Sequence, residues 1–478
     1  MISDRSPASA PVDRLDRRAW GVLLVLCGAL FLDGLDVSMV GVALPSIDAD
    51  LQLSTPALQW IVSGYVLGYG GLLLLGGRAA DLLGRRRVFV TALAVFAAAS
   101  LLGGLVSEGP LLIATRFIKG VAAAFTAPAG LSIITTSFAE GPARTKALAV
   151  YTATGASGFS FGLIMGGLLT ELGWRWTFLL PAPIALVLLA LARLIPTDQP
   201  AEDGPRGYDL PGAAAVTAGM LALVFTVVRA PDVGWSSPWT LGGAAAVVAL
   251  LASFVAIERR TAHPLVRFGI LRTPGLARAN LAAMAIFGSY VAFQFVTTLY
   301  LQQVLGWSAL ETALAFLPGG LLVAIGAPNI APVIDRFGPR RVLGAGLLLF
   351  TAGYALFLRV DAGFAYWSVL LPTMLLIGGG FALAFPSMNV AATSGVADHE
   401  QGLASGLVNT SFQVGGAVVL AAVTAIVSAG GGVTPGGEAL PDGYLAGLAV
   451  VTGASALGLT AVLAGRRLLG RPAPAFGA

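Results

Sequence analysis

An all-α integral membrane protein with fourteen transmembrane helices is the fold class that this sequence predicts. Of its 478 residues, 56% are hydrophobic and only 11% charged, with a mean hydropathy of +0.85. Soluble domains are about half apolar and about a quarter charged. The apolar residues come in runs of the length that crosses a bilayer, about 20 residues. The basic residues fall in alternate gaps between those runs, which is the pattern of cytoplasmic loops. Soluble enzymes, nucleic-acid binders and disordered scaffolds are excluded on this balance. The excess of 28 Lys+Arg over 24 Asp+Glu reflects membrane topology and is not a nucleic-acid patch.

The gaps between charge and proline clusters delimit the spans. They run over 19–44, 57–76, 88–106, 111–137, 145–170, 176–195 and 210–229, then 239–257, 279–301, 310–331, 340–359, 366–390, 401–428 and 443–465. The first span is too long for a signal peptide and lacks a small-residue cleavage site at its end. With the N-terminus inside, only Arg175, Arg229 and Arg359 fall on the outer side, and Arg116 and Lys119 lie within a span. Every other basic residue is cytoplasmic. A miscount by one helix would scramble this asymmetry, so the count and the orientation support each other.

An internal repeat organises the spans. After span two comes Gly77-Arg-Ala-Ala-Asp81-Leu-Leu-Gly84-Arg85-Arg86-Arg87, and after span ten Ala331-Pro-Val-Ile-Asp335-Arg-Phe-Gly338-Pro-Arg340-Arg341. Both contain D-x-x-G-x-R-R. Parallel repeats of this kind mark transporters built from two halves. The expected organisation is a cytoplasmic tail at 1–18, a six-helix bundle at 19–195 and a linker at 196–278 holding two inserted helices. A second, pseudo-symmetric six-helix bundle follows at 279–465, then a cytoplasmic tail at 466–478. The polar stretch from Pro196 to Asp209 reads as the junction between bundles.

Few residues can carry chemistry. Cys27 is the sole cysteine and His263 and His399 the only histidines, so no cysteine-based metal site is expected, and no cofactor. Neither lysine, Lys119 or Lys146, stands in a phosphate-cradling Gly-Lys-Ser/Thr loop. Away from the span ends, where Glu311 stands, the only carboxylates within the spans are Asp33 and Asp36, at i,i+3 on one helix face. An ionised carboxylate at the bilayer centre costs about 2.5–3.5 kcal/mol on insertion scales and needs a partner, water or a proton. Such a pair can couple transport to a proton gradient; alternatively, Asp36 orients its helix in a static network with Arg116. Arg116 and Lys119, again at i,i+3, supply the opposite charge. Lys119 either offsets Asp33 in a two-by-two network or reaches toward an interface.

Three further sets of residues stand out. Gly155, Gly158, Gly162, Gly166 and Gly167 in span five form a smooth stripe for close helix contact. The hairpin residues Gly77, Asp81, Gly84, Arg85, Arg86 and Arg87, with their counterparts Asp335, Gly338, Arg340 and Arg341, read as cytoplasmic anchors or as a conformational latch. Glycine permits the tight turn, and charge pairs there would hold one conformation and break in another. Trp60, Tyr65, Phe293, Gln294, Asn409 and Gln413 are candidates for lining a substrate cavity; the alternative is that the aromatics face lipid or core and the amides join helices.

These motifs together resemble the major facilitator superfamily, in its fourteen-helix drug:proton antiporter (EmrB/QacA-like) branch. Leu35-Asp36-Val-Ser-Met-Val-Gly-Val-Ala-Leu-Pro45 is similar to that branch's L-D-x-T-I-V-N-V-A-L-P. Gly77 to Arg87 matches the superfamily's basic hairpin. Arg116-Phe-Ile-Lys119-Gly120 resembles R-x-x-Q-G with lysine for glutamine, and Trp174-Arg-Trp-Thr-Phe178 resembles W-R-W-x-F. The stripe resembles the antiporter motif G-x-x-x-G-P-x-x-G-G, with Leu163 in place of its proline. The resemblance implies proton-coupled export of hydrophobic or amphipathic small molecules (drugs, dyes, antibiotics) by alternating access, and a part in proton transfer for Arg116. It implies a monomer in the cell (inner) membrane whose partners are substrate, protons and lipid. The rival functions are a same-fold transporter of one metabolite, lipid or siderophore, a membrane-embedded enzyme, and a non-transporting sensor.

Overall fold

A computed structural model describes residues 17–138, 142–196, 209–261, 269–270, 273–360, 366–394, 396, 401–429 and 442–464. Both tails and both histidines lie wholly or mostly outside these residues. Among them the secondary structure is helical: α1 (Arg17–Leu51), α2 (Thr55–Leu83), α3 (Arg85–Leu105), α4 (Gly109–Ser137), α5 (Pro142–Leu172), α6 (Arg175–Leu179), α7 (Pro181–Leu191) and α8 (Leu210–Val233). The others are α9 (Pro238–Glu258), α10 (Pro274–Leu299), α11 (Ala309–Gly326), α12 (Ala331–Phe337), α13 (Pro339–Phe357), α14 (Leu371–Thr393), α15 (Gln401–Ala429) and α16 (Asp442–Ala464).

Twelve helical stretches among the described residues are long and apolar enough to cross a membrane. Helices α2 and α5 stand where two further spans were expected but are outside that set. Side chains within both helices, among them Leu74 of α2, lie outside the described residues, and the described apolar part of α5 is Ser157–Leu172.

Local chemistry sets the boundaries. The Ser54 hydroxyl accepts from the Ala57 amide at 3.4 Å, and Pro56 follows in the first turn of α2. A reciprocal capping box opens α11, where the Ser308 amide donates to Glu311 Oε2 at 2.8 Å and the Glu311 amide to Ser308 Oγ at 3.1 Å. Each satisfies an amide that the helix start leaves without a partner. The expected end of the first span at residue 44 is too early, because α1 continues through Pro45 to Leu51. Proline removes one backbone hydrogen bond, and neighbouring helices make that tolerable in a membrane helix. The expected span 176–195 is present as the single apolar stretch Arg175–Leu194, divided by a turn at Leu180 into α6 and α7 and closed by a 3-10 turn Ala192–Leu194.

Two compact units emerge. The first comprises Met1–Phe225, Gly242–His263 and Trp307–Leu317, and the second Thr226–Leu241, Pro264–Gly306 and Pro318–Ala478. In the first, α1 packs on α5 and α7, α2 on α4, and α3 on α4 and α7. In the second, α10 packs on α15 and α16, and α13 on α14 and α16. Backbone proximity is the rule at these seams. A Cβ at Gly158 would run into the Phe31 backbone, and one at Gly415 into Met284.

Candidate functional site

Three helix contacts in the first unit build a buried charge cluster. The glycine stripe of α5 presses α1 close: a Cβ at Gly162 would collide with Ser38 Oγ and the Leu35 backbone, and one at Gly166 would stand 2.8 Å from Met39 Cα. Gly155 meets Leu30, while Gly167 turns toward Leu310 and Ala313 on α11. On the opposite seam, Gly68 fits the Phe117 carbonyl and Gly120 the Tyr65 carbonyl, so α2 and α4 cross almost backbone to backbone. Gly34 meets the Gly155 carbonyl in the first of these seams, and small residues spaced along apolar helices are the sequence signal that points to it and to Gly68.

These seams bring Asp36 on α1 to both cations of α4. Arg116 Nη1 donates to Asp36 Oδ2 and Lys119 Nζ to Asp36 Oδ1, and all three side chains are buried. Arg116 Nε also donates to the Ile61 carbonyl at 3.1 Å, and its guanidinium lies 4.7 Å from the centre of the Tyr65 ring. Lys119 Nζ lies 4.8 Å from the centre of the Phe96 ring and 5.5 Å from that of Phe178. Cation–π attraction adds to charge pairing where water is excluded. Lys119 therefore neither pairs primarily with Asp33 nor reaches an interface. It joins Arg116 on Asp36, because α4 turns both cations toward that carboxylate.

Asp33, one turn earlier, is also buried, yet its Oδ2 has no hydrogen-bond partner among the described residues. The shared face expected for the two aspartates thus holds for burial and not for partners. The cluster of Asp36, Arg116 and Lys119 carries one net positive charge with Asp36 ionised, and Asp33 can offset it or not according to its proton.

A second, exposed charge group closes the far end of α1. Asp50 Oδ2 accepts from Trp174 Nε1 at 2.9 Å and from Arg175 Nη1 at 2.7 Å, and the Arg175 guanidinium lies 4.4 Å from the Trp174 ring centre. Asp50 lies beyond residue 44, where the expected first span ends, so hydropathy alone does not point to it. Phe178 of the same W-R-W-x-F motif is one of the rings on Lys119, so this motif links the exposed clamp to the buried cluster.

The family model described as Major Facilitator Superfamily matches residues 26–420. The chain belongs to that superfamily. Among its relatives is the puromycin resistance protein pur8 of Streptomyces alboniger, 40% identical over 422 residues, covering 86% of this chain and 82% of the relative. Another is the cephamycin export protein CmcT of Amycolatopsis lactamdurans, 39% identical over 405 residues, covering 84% and 83%. The solved structure of the POT family transporter PepTSo superposes with a TM-score of 0.69 at 17% identity, covering 94% of this chain and 98% of that one. That likeness concerns the fold.

The superfamily's basic hairpin recurs with one backbone geometry. Gly84 between α2 and α3 has φ 95° and ψ 128°, and Gly338 between α12 and α13 has φ 79° and ψ 148°. Gly77 is not part of the turn. It lies inside α2, where a Cβ would make only ordinary contact with Pro128. The Asp81 side chain lies outside the described residues. Arg85 and Arg86 are half-buried and Arg87 exposed, as are Asp335 and Arg341. Arg340 donates to the carbonyl oxygens of Val462, at 3.0 Å through Nε, and of Leu463. It thereby caps the last turn of α16, which a basic side chain suits electrostatically.

The six cavity candidates divide. Tyr65 is buried beside Arg116, and Trp60 is half-buried against Phe225, ring centres 5.6 Å apart. Phe293 packs in the core of the second unit against Tyr354 and Phe357, at 5.2 and 5.1 Å. Gln294 Nε2 and Gln413 Oε1 are buried without hydrogen-bond partners among the described residues. Asn409 is exposed and donates to the Ser405 carbonyl of its own helix.

Proposed function

We propose that this protein is a proton-coupled exporter of antibiotics and other hydrophobic or amphipathic small molecules, working by alternating access. The observation that carries the reading is the buried group of Asp33, Asp36, Arg116 and Lys119. Ionisable residues in membrane-spanning helices are costly and typically mark ion or proton pathways. The names of the relatives, puromycin resistance and cephamycin export, support antibiotics as the substrate class. Proton coupling runs through the acidic pair Asp33 and Asp36, with Arg116 and Lys119 as counter-charges, and no covalent chemistry on the substrate is involved.

The topology proposed is fourteen spans, with bundles at 19–195 and 279–465 and the linker 196–278 supplying two helices. Recurrent packing supports the repeat: α1 on α5 answers to α10 on α15, α3 on α4 to α13 on α14, and α3 on α7 to α13 on α16. The matching turns at Gly84 and Gly338 support it too. The basic hairpins put both tails, 1–18 and 466–478, in the cytoplasm of a cell-membrane protein that functions as a monomer. The glycine stripe of α5 is its α1-facing bearing, and the hairpin residues, Asp81 and Asp335 included, form the latch. Gln294 and Gln413 are the cavity amides.

Inverted membrane vesicles containing the protein test this reading, with puromycin as the probe. An inside-acid pH gradient is expected to drive puromycin accumulation, and a protonophore to abolish it. Accumulation that ignores both the gradient and the protonophore would overturn proton coupling.

A further inference from the structure

The two aspartates of α1 are not equivalent. Asp36 is fully enclosed and each of its oxygens accepts from a different cation, Lys119 on Oδ1 and Arg116 on Oδ2. Protonating it would leave two buried cations facing a neutral acid, and breaking a buried charge network by neutralising one partner is strongly unfavourable. Asp33 is only 7% exposed and Oδ2 accepts from nothing among the described residues. A buried carboxylate oxygen without a donor is costly when ionised, while the protonated acid is a far smaller burden.

Among the described residues, no cation pairs with Asp33. On α1 itself the ionisable neighbour is Asp36, and from α4 Lys119 is within electrostatic range, already engaged by Asp36. From α2 come Tyr65 and Tyr69, and from α5 Tyr151, whose hydroxyl donates to the Ala127 carbonyl at 3.2 Å. The Tyr65 hydroxyl is itself buried without a partner among the described residues. Of the other elements packed on α1, α7 carries no ionisable residue, the Arg175 of α6 is held by Asp50, and Arg193 belongs to the 3-10 turn that meets α1 near Gly21, about three turns before Asp33.

We propose that Asp33 is the carboxyl that takes up and releases the transported proton, and that Asp36 stays ionised throughout as the fixed anion between Arg116 and Lys119. This rests on the proton-coupled reading above and assigns the proton within it. In each cycle one proton from the outer aqueous phase bonds to Asp33, and the same O–H bond breaks when the site opens to the cytoplasm. One proton enters, and every protein group returns to its starting state. The cluster alternates between one net positive charge with Asp33 protonated and none with Asp33 ionised. The aspartate that matches the family motif is then the anchor, and the additional one, Asp33, is the carrier.

Infrared difference titration of the full-length purified protein, read at the carbonyl stretch of protonated carboxylic acids, tests the assignment. The wild type is expected to gain and lose such a band with pH. Asp33→Asn should lack it, whereas the double variant Asp36→Asn with Lys119→Met, which conserves the charge of the cluster, should keep it. The reverse pattern would overturn the proposal.

Proteoliposomes give an independent arm with puromycin as the probe. Asp33→Asn is expected to lose gradient-driven accumulation by roughly 100-fold, the scale of a lost proton-transfer group, with partial recovery in Asp33→Glu. A wild type driven by the gradient and an Asp33→Asn variant driven equally well would overturn the Asp33 assignment alone. A wild type that exchanges puromycin in counterflow but ignores the gradient would overturn the coupled reading, and this proposal with it.

Discussion

The two units use similar helix pairs for different chemistry. In the first, the close contact of α1 with α5 surrounds a cluster of buried charges. In the second, the corresponding contact of α10 with α15 is just as close at Gly288 and Gly415, and the fully buried polar groups there, among the described residues, are uncharged ones such as Ser289, Gln294, Thr297 and Gln413. Aromatic rings fill the remainder, with Phe287 stacked on Phe412 at 4.2 Å and Phe381 on Phe385 at 5.5 Å. Close backbone packing is therefore a property of the scaffold, while fully buried charge, among the described residues, is a property of one half. Ionic interactions strengthen as water is excluded, so concentrating them in one unit leaves the other free to vary its contacts without disturbing the electrostatics.

The sharpest way to break this contrast is to unbalance the first unit. Asp36→Ala leaves Arg116 and Lys119 buried without their anion and is expected to cost about 3–5 kcal/mol. It should appear as a lower unfolding temperature and a reduced yield of monodisperse protein. The matched change in the second unit, Gln294→Leu, removes a buried amide nitrogen that has no partner among the described residues, and should leave the unfolding temperature nearly unchanged. Equal losses in the two variants would dissolve the distinction.

The shared part of the design should respond alike in both halves. Gly158→Leu and Gly415→Leu each force a side chain into a neighbouring backbone, with no flexible group to give way, and overpacking of this kind costs about 1–3 kcal/mol. Thermal unfolding of the two variants measures whether the seams are equivalent. Gln413→Leu then separates recognition from coupling: it is expected to change the KM for puromycin several-fold while the proton dependence of transport stays as in the wild type. The smallest effect belongs to the exposed clamp. The Arg175 and Asp50 side chains are 38% and 46% exposed, so Asp50→Asn should cost no more than about 1 kcal/mol, and less at high salt.

Much of this was legible from residues alone, for identifiable reasons. Charges inside apolar runs are so costly that Asp33, Asp36, Arg116 and Lys119 stood out without any structure. Their pairing did not, because spacing along α1 and α4 does not specify how each helix is rotated. That rotation is set by tertiary contacts such as Gly162 against Leu35 and Gly120 against Tyr65. Hydropathy also located the helices better than their ends. Polar ends such as Asp48 to Leu51 continue α1 past the apolar run, which hid Asp50 and its partners Trp174 and Arg175. In the hairpin, Gly84 and Gly338 were recognisable as turns, whereas Gly77 was wrongly grouped with them, since a glycine within a helix and one that ends it look alike in sequence.

The enclosure of Lys119 between Phe96 and Phe178 has a practical consequence. The chain contains only two lysines, and Lys146 is exposed on α5. An amine-reactive dye applied to the folded protein should therefore label, besides the chain's α-amino group, one of the two lysines, so Lys146 can be marked without removing any native residue.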